Sequence, residues 1–185
     1  LIGALVAVIV VFLRQAFYRG VDNPEIIENL GMPVYASLPY SRKQERLEKH
    51  NQSRSAGKES KLLSVSEPSE LAVESLRSLR TSLHFAMLEA RNNVLMISSP
   101  SPGSGKSFVS SNLAVIIAQT GKRVLLIDAD MRKGYLHKVF GLHPKHGLSD
   151  TLAARLTSRE VINATEVPNL DFISCGFAAP NPSEL

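Results

Sequence analysis

Apolar and polar positions alternate with different periods along the 185 residues, and the period divides the chain into segments of different kind. Leu1 to Leu13 has no charge and no polar interruption. At ~1.5 Å of helical rise per residue it covers ~20 Å, less than the ~30 Å hydrocarbon core of a bilayer. The run begins at the first residue and exits through Phe17-Tyr18, flanked by Arg14 and Arg19. It is therefore expected to be the end of a transmembrane helix that starts upstream, with everything after it on the cytoplasmic side; a buried core helix is the alternative. Arginines that follow the run, and the lack of a small-residue cleavage site, argue against a secretory signal peptide.

Asn23-Pro24-Glu25 reads as an N-cap, a first-position proline and a first-turn acid, with Gly31 as the stop. Pro33 to Tyr40 reads as extended, and Ser41 to Lys61, where Leu47 is the only large aliphatic residue before the end of the run, as a solvated linker. The expected organisation is residues 1–19 as membrane helix end and arginines, 20–40 as juxtamembrane segment, 41–63 as linker, and 64–185 as the start of a nucleotide-binding domain. Ala72, Leu76, Leu79, Leu83 and Met87 recur at three- and four-residue spacing and predict a helix from about Pro68 to Ala90. Beyond it, strand and helix alternate: Val94 to Ser98, then a helix over Ser107 to Gln119, a strand over Arg123 to Asp128, shorter helices, and a strand over Leu170 to Ser174. That order predicts an α/β fold, a doubly wound parallel sheet with right-handed crossovers.

Composition changes this picture little. Hydrophobic residues are 44% and charged residues 21%, a globular profile. The net charge of +4 and pI near 9.3 fit a partner such as nucleotide phosphates or an anionic leaflet; nucleic acid is not expected. A single cysteine, Cys175, excludes an intrachain disulfide and a cysteine-based zinc site.

The candidate chemistry lies where the strand at Val94 turns into the helix at Ser107. Gly103 and Gly105 let consecutive backbone N–H groups point inward at a β-phosphate, and the helix start adds its positive dipole end. Lys106 would reach β- and γ-phosphate oxygens and the Ser107 hydroxyl would take one Mg²⁺ position. The expected ATP-binding stretch is Ser101, Pro102, Gly103, Ser104, Gly105, Lys106, Ser107 and Phe108. The strict pattern has glycine where Pro100 stands. The next strand ends in Asp128-Ala129-Asp130, whose carboxylates lie at the strand's carboxyl end and on one face, placed to share a metal or a water.

With Pro-x-x-Gly-Lys-Ser followed by Leu-Leu-Ile-Asp-Ala-Asp-Met-Arg-Lys-Gly, the sequence resembles the Walker A and A′ pair of bacterial tyrosine autokinases of the Wzc-type polysaccharide co-polymerase family. The likeness extends from the apolar run and its Asn-Pro-Glu-Ile-Ile-Glu tail to the Asn-Pro-Ser-Glu-Leu loop at residues 181–185. It implies a P-loop NTPase-like domain in which Lys106, Asp128 and Asp130 are catalytic and Ser107, Asp128 and Asp130 hold Mg²⁺. One of the two acids would help deprotonate an incoming tyrosine. It also implies that Glu74, Arg77 and Arg80, matching Glu-x-x-Arg-x-x-Arg, assemble subunits into a homo-oligomeric ring; a solvated helix face with internal ion pairs is the alternative reading. The implied setting is a bacterial inner membrane, with polysaccharide export and polymerisation machinery and an opposing tyrosine phosphatase as partners. The family's Walker B strand and tyrosine-rich tail are expected beyond Leu185, so this piece alone is expected to be inactive.

Two other classes compete. ParA/MinD-type ATPases share the fold, but their signature lysine would fall at Ser101. A non-catalytic co-polymerase scaffold is the other.

Overall fold

The computed structural model describes residues 23–53, 62–143 and 146–177, with isolated positions 3, 7, 10, 12 and 13. Apart from those five positions, the expected membrane helix with its arginines lies outside these residues, as does the loop at 181–185. Among the described residues no helix is long and apolar enough to cross a membrane. The chain divides into two compact units, residues 1–37 and 38–185.

In the first unit, α1 spans Pro24–Glu28. Asn23 Oδ1 accepts from the Glu25 N–H at 3.0 Å, which satisfies one of the orphan donors at the helix start. Gly31, at φ +81°, ends it as expected.

The second unit opens with a departure. The expected linker contains a helix, α2, over Arg42–Ser53. Ser41 Oγ accepts from the Gln44 N–H, so Ser-x-x-Gln at 41–44 is a helix-start signature inside a charge-rich run. Lys43 bridges Glu67 and Glu70 at 2.9 and 3.1 Å, and Leu38 and Leu47 pack against the core. The short α3, Leu63–Ser66, leads to α4, Leu71–Ala86. α4 is shorter than expected at both ends: Pro68 and Ser69 form a turn before it, and Met87 caps it. Ala72, Val73 and Leu76 are its buried residues, with Leu79 and Leu83 packed beside them.

Residues 94–98 carry no strand assignment. No described strand pairs with them; Val94 and Met96 are exposed, and only Ile97 packs onto the core. α5, Lys106–Ala118, is buried almost all round, with Leu113 and Ile116 toward α3 and α4 and Ala114, Val115 and Ala118 toward the sheet. That burial on both sides makes it the central element of the unit.

The sheet has the order β1-β3-β2, from β1 Val124–Ile127, β2 Asn163–Ala164 and β3 Leu170–Ile173. β1 and β3 are parallel, with Val124 opposite Leu170 and Ile127 opposite Ile173. β2 runs antiparallel to β3, so the expected all-parallel sheet is in fact mixed. Only five residues join β2 to β3, too few for a parallel crossover. Among the described residues helices cover one face of β1: Val124 and Leu126 pack beneath α5, while Leu125 and Ile127 on the other face are exposed. Between β1 and β2 lie α6 Leu136–Val139, α7 Leu148–Leu152 and α8 Ser158–Val161.

Candidate nucleotide site

The loop before α5 is shaped by two left-handed residues, Gly103 at φ +78° and Gly105 at φ +89°, a conformation that strains any residue with a Cβ. Gly105 is the N-cap, so the N–H groups of Lys106, Ser107 and Phe108 form the first turn, where no intrahelical acceptor exists. The positive end of the thirteen-residue helix lies at the same place. Phe108 turns its side chain into the core, which leaves only its backbone to face a ligand. Lys106 Nζ donates to Ser99 Oγ at 2.9 Å and to the Ser101 carbonyl at 3.4 Å. Ser104 Oγ lies 2.7 Å from the same carbonyl. Ser101, Ser104 and Lys106 are thus gathered by the loop itself, and Ser99, absent from the sequence expectation, is at their centre.

At the carboxyl end of β1 the two acids do different work. The Asp128 N–H extends the ladder to the Ile173 carbonyl, and its buried carboxylate accepts from the N–H of Asp130 at 3.2 Å and of Leu136 at 3.1 Å. Burial pushes the Asp128 carboxyl up from its ordinary range, against the pull of those two N–H groups. Asp130 is exposed, and its Oδ1 caps the turn by accepting from Arg132 and Lys133. Gly134 is required here by a close approach: a Cβ would lie 2.3 Å from Cys175 Sγ and 2.7 Å from the Asp130 carbonyl. Burial, then the charge of Asp128, raises the Cys175 thiol, so it is no ready nucleophile.

The donor set suits a triphosphate with Mg²⁺: inward N–H groups and an ammonium for the phosphates, a hydroxyl and two carboxylates as hard oxygen ligands. Among the described residues no three His, Cys, Asp or Glu side chains cluster to hold a metal unaided, and no ion pair joins Lys106 to Asp128 or Asp130. The loop and the acidic turn each satisfy their polar groups within themselves.

Glu74, Arg77 and Arg80 share α4. Arg77 Nη1 donates to Glu74 Oε1 and, at 2.9 Å, to the Pro68 carbonyl, so these two are already engaged within the chain. Neither a side-chain hydrogen bond nor an ion pair ties the Arg80 guanidinium to another described residue.

Residues 95–158 match the CobQ/CobB/MinD/ParA nucleotide-binding domain. Over its whole length the chain is 48% identical to a putative tyrosine-protein kinase in the cps region of Klebsiella pneumoniae and 47% identical to the tyrosine-protein kinase wzc of Salmonella typhimurium. It spans 26% of each. The solved kinase domain of Escherichia coli tyrosine kinase ETK superposes with a TM-score of 0.80 at 46% identity, covering 89% of this chain and 63% of that one.

Proposed function

Because the chain belongs to the Wzc/Etk-type family of bacterial tyrosine-protein kinases, at 45–48% identity throughout, we propose that it is the MgATP-binding part of a tyrosine autokinase governing capsule or exopolysaccharide assembly. The observation that carries this reading is the left-handed Gly103/Gly105 turn opening α5, with Lys106 folded over it. Lys106 and the first-turn N–H groups hold and neutralise the β- and γ-phosphates. Ser107 with Asp128 and Asp130 would hold Mg²⁺, which would screen the phosphate charge. Bound MgATP supplies the γ-phosphoryl group, whose bond to the β-bridging oxygen breaks as the tyrosine oxygen bonds to phosphorus. The phenolic proton leaves to a carboxylate. Asp130 suits that task better, since it is exposed while both oxygens of Asp128 face backbone N–H groups.

The acceptor tyrosines belong to neighbouring subunits, arranged in a ring through Glu74, Arg77 and Arg80. The apolar run at residues 1–13 anchors the assembly in the inner membrane, with the described domain facing the cytoplasm. Polysaccharide polymerisation and export proteins, and an opposing tyrosine phosphatase, complete the setting.

The full-length protein incubated with labelled ATP is expected to yield phosphotyrosine on phosphoamino-acid analysis. Lys106→Met and Asp130→Asn should each reduce it by about a hundredfold or more. ATP hydrolysis without phosphotyrosine would instead favour a ParA/MinD-type ATPase, a reading that the match over residues 95–158 also fits. Neither activity would leave a co-polymerase scaffold.

A further inference from the structure

The lysine of the loop has partners of its own. Ser99 Oγ, half-buried, accepts from Lys106 Nζ at 2.9 Å and from Ser104 Oγ at 2.5 Å, and donates to the Ser101 carbonyl at 2.9 Å. A hydroxyl has one proton to give and two lone pairs to offer, so Ser99 is fully used. The second partner of Lys106, the Ser101 carbonyl at 3.4 Å, is longer and already accepts from the Ser99 hydroxyl.

We propose that Ser99 is a positioning residue that holds the Lys106 ammonium inside the loop, so that a phosphate must displace its hydroxyl, and that Ser99 thereby lowers the loop's affinity for phosphate-bearing ligands. The inference rests on the loop being the phosphate site. A phosphate oxygen approaching the Gly103–Ser107 cradle draws the ammonium outward, away from Ser99 and Ser101. Breaking a charge-assisted hydrogen bond is the cost of that movement. Without the Ser99 hydroxyl, Lys106 keeps only its longer contact, while the Ser104 hydroxyl turns its proton to the Ser101 carbonyl 2.7 Å away. The contacts made to the phosphates come from Lys106 and backbone N–H groups and do not change. Removal of the hydroxyl therefore weakens only the form that competes with binding.

The sign of the effect separates this role from a bracing one. A hydroxyl that only stiffened the loop would, when lost, loosen the cradle and weaken binding.

The test is calorimetric titration of the full-length protein with ADP and Mg²⁺. Ser99→Ala is expected to bind about three- to tenfold more tightly than the unaltered protein. Ser99→Thr, which keeps the hydroxyl, is expected to restore the original affinity. Unchanged or weaker binding by Ser99→Ala, with the unaltered protein still binding ADP, overturns the inference and leaves the phosphate site standing. A gain shared equally by Ser99→Thr overturns it too, because the hydroxyl would not be its cause. If the unaltered protein binds no ADP, the phosphate reading falls and takes this inference with it.

Discussion

Burial acts on Asp128 and His137 in opposite directions, and the two lie close enough to feel each other's charge. Burial raises the Asp128 carboxyl. Burial lowers the His137 imidazole, Lys138 lowers it further, and Asp128 only partly offsets them. A histidine whose folded value is depressed resists the proton in the folded state. It therefore costs stability as pH falls through the ordinary value of 6.5 toward the folded one. Urea unfolding is expected to show a lower midpoint at about pH 5.5 than at about pH 7.5, and His137→Phe to narrow that gap. An equal gap in the variant would remove His137 as its source. At this scale the sequence is most readable where chemistry is local. Gly103, Gly105, Lys106 and Ser107 announce a phosphate loop because each acts through its own backbone or reach. Ser99 does not, since its pairing with Lys106 exists only once the loop has closed.

Elements were legible where one period governs and illegible where a distant contact decides. The spacing within α4, the Asn-Pro start of α1 and the apolar runs of β1 and β3 led to the observed segments. α2 was not found because its mean composition is that of a linker, while its Ser41 cap, its Lys43 bridges and Leu47 fasten it from outside. The run at 94–98 has strand composition without a described strand beside it. Asn112 is the strongest case of a long-range tie: its Oδ1 accepts from the buried Ser64 N–H at 2.8 Å across 48 residues, while its Nδ2 donates to the Phe108 carbonyl. Asn112→Ala would leave the Ser64 N–H without an acceptor inside the core, at a cost of about 1–3 kcal/mol in urea unfolding. Lys43→Ala, which removes an exposed bridge, is expected to leave the urea midpoint close to that of the unaltered protein. Equal effects would mean that α3 is held by its apolar contacts and not by Asn112.

At the scale of the whole molecule, what one chain makes of α4 bears on assembly. Glu74 and Arg77 satisfy each other, and Arg77 also holds the Pro68 carbonyl at the turn before the helix. Replacing either one would disturb the chain's own fold as well as any contact with a neighbour, so a change in sedimentation would have two explanations. Arg80, two turns into the same helix and half-buried, has no such intrachain task among the described residues. No guanidinium nitrogen of Arg80 is both buried and without a partner, so solvent meets its hydrogen-bonding needs and leaves it available to a carboxylate of a neighbouring subunit, the contact the ring reading supplies. Arg80→Glu should therefore weaken self-association of the kinase domain by about tenfold or more in analytical ultracentrifugation, because it places a like charge where a carboxylate would dock. Its thermal midpoint should stay near that of the unaltered domain. An unchanged sedimentation profile would return Glu74, Arg77 and Arg80 to the role of a solvated helix face, and the ring would need another surface.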